Sequence, residues 1–589
     1  MNSFIDYLNS LNNASGSNEN ALAESQILSE YYSSIVVDRK IASHIFDLLF
    51  KGENNTAIVL TGHAGDGKTS ILIQILKELG CFRDGVRPLQ EYDTYKDEFL
   101  YVKDMSELNE KIQEEVFVKF LTASKNRMSS LLISNTGPLI NTAKRLINNT
   151  NTYSSNLEQK NECEDFEINL LSNIDKVESG NVPIKVNNEE YVFKVINLAN
   201  IDNTYFVGEI MAKLMQEKLW DKCSDCIAKK RCPACSNYEI ISNNQARIVS
   251  FISRLYFWLA DRNQRLTIRQ ILSHLSYAIT GNLNCNEINK IIIENEDGLF
   301  QYNFANLFFG YHGTKLDKES LNIKAIRELN DIKLEDIALR EDYLLFVKED
   351  YSVFDDGTKD ILNKTLNLNY QKLGLGNEET ILMRRAFRRF YILLSRLDED
   401  SYNEMLEQIF DNVFPEYYLL STEENSSVKV KNKVKEIVFN GLFKHFIGVY
   451  PNNSNELYLT LKKDDNEFQN VQLVLGEMRK TDLKIDTSRI HGNIEPCLRI
   501  NKVVIKLKKY FELSYQTLNY LDNISRGKIY TKLNPSFTFD LTKLKSVLIS
   551  EYGRVKEDNP NIKIVMITNQ GIKPVQLEID EDSKILYEV

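Results

Sequence analysis

AIVLTGHAGDGKTS, at residues 57–70, is an apolar run followed by a glycine-rich loop and by a lysine with two hydroxyl residues. The apolar run, residues 57–61, predicts a buried strand, and residues 69–79 repeat apolar side chains at helical spacing. The loop between them matches the pattern G-x-x-x-x-G-K-[ST]. Because it lies between a strand and a helix, this pattern predicts a phosphate-binding P-loop in an α/β fold.

The chemistry of phosphate binding explains the spacing. A loop around a triphosphate directs successive backbone N–H groups inward, and glycine permits the torsions that this requires. The helix N-terminus adds positive potential, Lys68 can reach the β- and γ-phosphates, and the Thr69 hydroxyl can bind Mg²⁺. His63 occupies a variable position of the loop pattern and is interpreted as a residue without a catalytic role rather than as a catalytic base. The residues predicted to bind ATP with Mg²⁺ are Gly62, His63, Ala64, Gly65, Asp66, Gly67, Lys68, Thr69 and Ser70.

A second apolar run, residues 99–103, predicts another strand of the same sheet, and Asp104 follows it directly. A carboxylate at this end of a strand near the P-loop can hold the Mg²⁺ shell, so we assign Asp104 the Walker B role. Met105 stands where a catalytic glutamate usually follows. Glu107 is predicted either to orient the attacking water or to lie in the first turn of a helix over 106–124, as a capping or dipole-complementing residue.

Two further polar residues are candidates for the nucleotide site. Asn135 follows a predicted strand over 130–134 and is either a sensor-1 residue that positions water or a turn residue beside Gly137. Arg269 lies in the stretch from Arg265 to Gln270, which begins a predicted helix that runs to Gly281 and suits the helical lid of an AAA+ module. It is either a sensor-2-like contact or a solvated arginine.

Four cysteines lie within thirteen residues, in the spacing C-x₂-C-x₅-C-x₂-C. Each pair can direct two thiolates to one metal, and two pairs complete a tetrahedral site with no open position. We predict a structural Zn²⁺; an iron–sulfur cluster and the absence of a metal are the alternatives. The predicted ligands are Cys223, Cys226, Cys232 and Cys235.

The order of predicted elements gives an α/β fold: a parallel-sheet P-loop NTPase core of AAA+ or STAND-like kind, with a cysteine insertion and a helical lid. Helical and α+β regions follow, and the latter includes a predicted strand over 537–541. The predicted divisions are an N-terminal arm (1–34), the core (35–222), the metal loop (223–236), the lid (237–314), a mostly helical domain (315–450) and an α+β domain (451–589).

The net charge and the hydropathy of the chain indicate which partners and which compartment it is suited to. Its 589 residues carry a formal net charge of −11, which argues against a protein that coats nucleic acid unaided. Four arginines within residues 384–389 are either a local DNA contact or a solvated face. The N-terminus lacks a signal-peptide pattern, and no apolar run approaches a membrane span. We expect a cytoplasmic protein with no membrane contact.

Taken together, these motifs resemble one bacterial family over roughly residues 35–310. The P-loop, the stretch from Lys103 to Glu107, the turn from Ser134 to Gly137, the cysteine cluster and the stretch from Leu266 to Arg269 are similar to those of the DptF-type ATPases. That family is associated with DNA-phosphorothioation-dependent restriction, and similar ATPases occur in other phage-defence systems. The resemblance implies an ATP hydrolase that acts with other subunits of a restriction complex, as a possible oligomer, on foreign DNA.

Two other functions are compatible with the same motifs. A STAND-like signalling switch would retain one nucleotide and exchange it slowly. The second alternative is a scaffold that binds nucleotide without hydrolysing it. It is compatible with the sequence because Met105 stands where a catalytic glutamate usually follows the aspartate.

Overall fold

The structure is a computed structural model. It describes residues 2–12, 29–52, 56–81, 89–150, 156–174, 180–187, 189–294, 297–369, 374, 376–423, 427–451, 454–461, 469–489, 501–507, 510–530, 535–553, 562–568, 571–580 and 586–588. The chain divides into two compact units, the first ending at Asp398 and the second beginning at Glu399. This division falls inside the region predicted as one mostly helical domain, 315–450.

The first unit alternates strands with helices. Its strands are β1 (Ala57–Thr61), β2 (Tyr92–Tyr95), β3 (Phe99–Val102), β4 (Ser129–Ile133), β5 (Gly180–Val186), β6 (Glu189–Asn197), β7 (Tyr311–His312) and β8 (Lys315–Leu316). Its helices are α1 (Ser3–Leu11), α2 (Tyr32–Ile35), α3 (Lys40–Phe50), α4 (Lys68–Glu78), α5 (Glu110–Thr122), α6 (Thr136–Thr150), α7 (Asn156–Ile174), α8 (Val207–Leu214), α9 (Glu217–Ser224), α10 (Pro233–Asp261), α11 (Ile268–Thr280), α12 (Cys285–Glu294), α13 (Gly298–Gln301), α14 (Phe304–Phe308), α15 (Lys324–Ile332), α16 (Asp342–Phe346), α17 (Asp356–Asn369) and α18 (Glu378–Leu394).

A six-stranded, mostly parallel sheet forms the centre of this mixed α/β unit. The strand order is β2-β3-β4-β1-β6-β5, with β3, β4, β1 and β6 parallel and the two edge strands antiparallel. All five residues of β1 are buried, as expected for a central strand covered on both faces. The expected α/β class with a parallel sheet is therefore confirmed.

Helix α7 and strand β5 come between α6 and β6 along the chain, and β5 contributes to the sheet. Strand β5 adds to its edge with Val182, Ile184 and Val186 directed to the core and the residues between them exposed. This alternation is the period of a half-buried antiparallel strand. Strand β2, at the other edge, was also not predicted; its residues are polar or only partly buried.

Helix α1 lies in the predicted N-terminal arm, yet it is part of the packed unit. Phe4, Ile5, Leu8 and Leu11 recur at helical spacing and are buried, and the helix packs against α11. A free arm would leave these four side chains in water, so the amphipathic pattern accounts for the packing.

The second unit combines helices with two antiparallel sheets. Its helices are α19 (Glu399–Phe410), α20 (Phe414–Thr422), α21 (Val428–Ile447), α22 (Tyr515–Ser525) and α23 (Pro535–Tyr552). Its strands are β9 (Glu456–Leu461), β10 (Val471–Arg479), β11 (Ile485–Arg489), β12 (Asn501–Lys506), β13 (Tyr510–Glu512), β14 (Ile562–Thr568), β15 (Gly571–Ile579) and β16 (Leu586–Glu588).

The predicted strand over 537–541 is wrong, because these residues lie in α23. Two phenylalanines among polar residues gave a short alternating pattern, whereas the longer run through Leu541, Leu544 and Leu548, all buried, has helical spacing. Within the described ranges we find no helical segment whose length and hydropathy would suit a bilayer crossing.

Candidate nucleotide site

The glycine-rich loop, residues 62–67, joins β1 to the N-terminus of α4. Gly62, Gly65 and Gly67 have positive φ angles of 147°, 89° and 86°, in the region that side chains with a Cβ rarely adopt. Helix α4 then begins at Lys68, so its free N–H groups and the positive end of its dipole point toward the loop. This local geometry is one that binds anions.

Lys68 crosses the loop and joins it to the neighbouring strand. Its Nζ donates to the carbonyl oxygens of Gly62 (2.8 Å) and His63 (3.2 Å) and to Asn135 Oδ1 (3.1 Å). Burial lowers the pKa of Lys68, while the negative charges of Asp104 and Asp66 oppose that shift. The structure thus brings together three predicted site residues, Lys68, Asp104 and Asn135.

Strand register explains this convergence. Leu60 pairs with Ile133, and Val102 pairs with Leu132. The carboxyl ends of β1, β4 and β3 therefore lie side by side at one edge of the sheet. Asp104 and Asn135 extend from the ends of β3 and β4 at the same edge. Ligands of open α/β sheets bind outside the carboxyl ends of the strands, so this edge is the expected site.

Ser106 connects the tips of β3 and β4. Its backbone N–H donates to Asp104 Oδ1 (2.9 Å), and its Oγ accepts from the N–H of Asn135 (3.0 Å). These bonds hold the aspartate and the asparagine in fixed relative positions. Sequence reasoning missed Ser106, although a serine two residues after an aspartate is typical of an Asx turn.

Glu107 lies outside the helix in which the capping interpretation places it. The predicted helix over 106–124 is divided: a single 3₁₀ turn spans Met105–Glu107, and α5 begins at Glu110 with Asn109 as its N-cap. Glu107 is exposed, whereas Met105 is buried. The capping interpretation of Glu107 is therefore wrong, because Asn109 accepts from the N–H of Ile112.

Asp66 is the residue whose importance sequence reasoning missed. Its side chain is fully buried, and Oδ2 accepts from the N–H of His63 (2.9 Å) within the loop. Oδ1 accepts from Arg265 Nη1 (2.9 Å) and Asn203 Nδ2 (3.3 Å), and the Asp66 carbonyl accepts from Arg39 (3.1 Å). A carboxylate inside a phosphate-binding loop was the available signal, but its arginine partner is 199 residues away along the chain.

The predicted lid helix, α11, packs directly on the loop. Thr267 caps it in a capping box with Gln270, and the N–H of Arg269 donates to the carbonyl of Gly65 (3.3 Å). A Cβ at Gly65 would lie 2.7 Å from Thr267 Oγ1, so only glycine permits this approach. Burial lowers the pKa of Arg269, and its charge also lowers the pKa of Lys68, which places it close to the loop lysine.

A small cavity lies beside the loop, with a volume of about 60 Å³. Apolar side chains from the segment before α3 and from α11 form its walls, and the start of α4 forms its floor. Thr69 and Ser70 lie in that first turn of α4. The residues that line the cavity are Tyr32, Ile35, Val36, Val37, Arg39, Gly67, Ser70, Ile268 and Leu272.

The structure brings together three of the four predicted metal ligands. The thiol of Cys235 is hydrogen-bonded to those of Cys223 and Cys232, which lowers the pKa of Cys223 to about 6 and of Cys232 to about 7 and raises the pKa of Cys235. Asn2 Nδ2 also donates to Cys223 Sγ (3.3 Å). Cys226 is exposed. The three thiols are therefore in contact but not in the arrangement of a metal site: among the described residues, no group of three or more His, Cys, Asp or Glu side chains could hold a metal ion.

The arginine-rich stretch 384–389 lies in α18, and three of its arginines have acidic partners in the first unit. Arg389 is 1% exposed, and its Nη2 donates to the carbonyl of Gly313 (2.6 Å). The partners of Arg385 and Arg388 lie 49 and 46 residues earlier in the sequence. Local sequence patterns therefore could not identify these pairs. Arg389 is buried, so it is neither a DNA contact nor part of a solvated face; for the other arginines the choice between these two alternatives stays a prediction. The ion pairs are Arg385–Asp336, Arg388–Asp342 and Arg389–Glu335.

The chain was compared with models of protein families, with curated proteins and with solved structures, and none of these comparisons found a match.

Proposed function

We propose that the first unit binds ATP with Mg²⁺ at the glycine-rich loop and hydrolyses it. The observation that carries this proposal is the convergence of Lys68, Asp104 and Asn135 at one edge of the parallel sheet, beside a glycine-rich loop that ends at a helix N-terminus. An amine, a carboxylate and an amide around an anion-binding loop are the groups that phosphoryl transfer to water requires.

Each residue then has a distinct role. Lys68 would exchange its bonds to loop carbonyls for bonds to the β- and γ-phosphates. The Thr69 hydroxyl and Asp104 would hold Mg²⁺, which neutralises charge that develops on the phosphates. Asn135, already bonded to Lys68 and supported by Ser106, would orient the attacking water. Glu107 is exposed next to this edge and is the candidate base.

The small cavity beside the loop is the proposed position of the purine. Its apolar walls, which include Val37 and Ile268, suit the faces of a base, and it adjoins Gly67 at the start of α4. A cavity of about 60 Å³ is smaller than a purine, so entry of the base would require α11 to move outward. Nucleotide binding is therefore expected to change the position of α11.

The direct test is nucleotide titration calorimetry together with phosphate release. Lys68→Ala should weaken ATP affinity roughly 100-fold, because it removes a charge-assisted contact with the phosphates. Asp104→Asn should retain affinity but reduce turnover by roughly 100-fold or more, since it weakens the Mg²⁺ site.

Matched controls are available in the same unit. Lys51 is an exposed lysine that pairs with Asp47, and Asp97 is an exposed aspartate in the β2–β3 turn, at the opposite edge of the sheet. Lys51→Ala and Asp97→Asn should behave as wild type. Wild-type affinity in Lys68→Ala, or unchanged turnover in Asp104→Asn, would contradict the proposed roles.

A STAND-like switch is the second candidate, and one observation favours it. The segment that contains Arg265 and the start of α11 is bonded to the loop twice, through the Arg269 N–H and the Arg265–Asp66 ion pair, and these contacts would slow nucleotide exchange. Purified protein that carries one tightly held nucleotide and exchanges it over hours would support the switch. Multiple turnovers stimulated by DNA would support the motor.

The wider role rests on the resemblance to DptF-type ATPases. We propose that this ATPase acts in the cytoplasm with other subunits of a restriction or phage-defence complex, where nucleotide hydrolysis powers or gates action on foreign DNA. The net charge of −11 implies that much of the attraction to DNA phosphates comes from partner proteins. A structural Zn²⁺ at the cysteine cluster completes the proposal, because three of the four thiols already converge.

A further inference from the structure

Asp66 presents an electrostatic problem for the proposed nucleotide site. A carboxylate within a loop that surrounds a triphosphate repels the phosphates unless a nearby cation neutralises it. Its side chain is 0% exposed, so water does not screen this charge. The site therefore depends on how Asp66 is paired.

The partner of Asp66 comes from outside the loop. Arg265 Nη1 donates to Asp66 Oδ1 at 2.9 Å, and the arginine side chain is 21% exposed. The rest of the guanidinium is fixed by backbone carbonyls after β6: Nη2 donates to Leu198 (3.1 Å), and both Nη2 and Nε donate to Ile201 (2.9 and 3.1 Å). Arg265 is thus held in one position by the sheet and directed at the loop.

Arg265 also lies three residues before α11, the helix that would move when a base enters. The same segment is bonded to the loop a second time, through the Arg269 N–H and the Gly65 carbonyl. Charge neutralisation of the loop and the position of α11 are therefore linked by a few residues of one segment.

We propose that Arg265 is a positioning residue that neutralises Asp66 and so couples phosphate binding in the loop to the position of α11. This inference rests on the proposed function, since it assigns a regulator to the same site. Without this ion pair the Asp66 carboxylate is uncompensated, which lowers the affinity of the loop for phosphates, and the segment that leads into α11 loses one of its two bonds to the loop. While the Asp66–Arg265 ion pair is intact, the Asp66 charge is neutralised and the loop can bind the phosphates of a nucleotide.

The charge argument makes a specific prediction for paired substitutions, measured as Kd for a fluorescent ATP analogue. Arg265→Gln leaves the carboxylate unpaired and should weaken affinity on the order of tenfold. Adding Asp66→Asn to Arg265→Gln should restore affinity to within about threefold of wild type, because the repulsive charge is gone. Arg265→Lys should stay close to wild type.

Arg262→Gln is the matched control, since it removes one positive charge from an exposed arginine three residues earlier that packs over Trp258. It should not change Kd. A double variant as weak as Arg265→Gln, or weaker, would overturn the proposal and leave Asp66–Arg265 as a structural contact only.

Amide exchange in the nucleotide-free protein separates this inference from the proposed function. Arg265→Gln should speed exchange in residues 62–69, and Asp66→Asn should speed it in residues 266–272, while Arg262→Gln changes neither. If wild type binds no ATP, the proposed function fails, yet reciprocal exchange effects would still support the coupling. Unchanged exchange in both variants overturns the coupling whatever the affinity for nucleotide.

Discussion

His274, in the middle of α11, shows how a single buried residue links stability to pH. Its Nε2 donates to the carbonyl of Phe308 (2.7 Å), so its Nδ1 accepts from the hydroxyl of Tyr256 (2.8 Å), and the ring is neutral. Burial lowers the pKa of His274 to about 4. The unfolded chain, with an ordinary histidine pKa of about 6.5, takes up a proton at a higher pH than the folded protein.

We therefore predict that the first unit loses stability as the pH falls from about 6.5 to 4. Over that range His274 alone should remove about 3 kcal/mol, since the unfolded state binds the proton first. Both tryptophans of the chain, Trp220 and Trp258, lie in this unit, so their fluorescence during urea unfolding provides the measurement. His274→Gln should flatten the pH dependence, whereas the exposed His63→Gln should keep it. An equally steep profile in His274→Gln would contradict this assignment.

At the scale of elements, helix α1 stabilises the helix that covers the proposed nucleotide site. Leu8 of α1 is fully buried, and α1 packs against α11. Thr280 Oγ1 of α11 donates to Asn9 Oδ1 of α1 (2.6 Å). Leu8→Ala should lower the free energy of unfolding by about 3 kcal/mol, through lost burial and the cavity that remains. Asp6→Ala, on the exposed side of the same helix, should change it by less than about 0.5 kcal/mol. Equal effects of the two substitutions would show that α1 does not pack as described.

The connection between α9 and α10 is the element on which the metal prediction depends. Cys223 lies in the last turn of α9, while Cys232 occupies the N-cap position of α10 and Cys235 lies in its first turn. We predict one Zn²⁺ per chain by elemental analysis, because paired thiolates at ligand spacing bind zinc strongly. Cys235→Ser should lose the metal, and Cys81→Ser, at a cysteine far along the chain, should retain it. Iron with visible absorbance would replace zinc by a cluster, and metal-free protein would end the hypothesis.

At the scale of the whole molecule, the proposed role requires more than the ATPase site. We predict that deleting the gene abolishes restriction of incoming phage or plasmid DNA by its host system, and that Lys68→Ala reproduces the deletion. Lys51→Ala should restore restriction fully. The physical reason is that nucleotide turnover supplies the energy or the timing, while partners supply most of the affinity for DNA. Full restriction by a strain carrying only Lys68→Ala would identify the protein as a scaffold.

Local patterns were sufficient to predict the central part of the fold. The strand before the glycine-rich loop, the helix after it and the strands that precede Asp104 and Asn135 all depend on hydrophobic period and on glycine torsions. The convergence of Lys68, Asp104 and Asn135 followed from placing those strands in one parallel sheet. These features depend on neighbouring residues or on a simple rule of strand order, so the sequence alone determined them.

Only the tertiary structure decided which residues pair across long separations. Asp66 and Arg265 meet although they are 199 positions apart in the sequence, and the acidic partners turn Arg388 and Arg389 from a predicted surface into parts of the unit. The burial of α1 and the exposure of Cys226 were likewise decided by tertiary packing. Such contacts are set by how whole elements pack, and no local spacing encodes which distant charge or apolar face will be the partner.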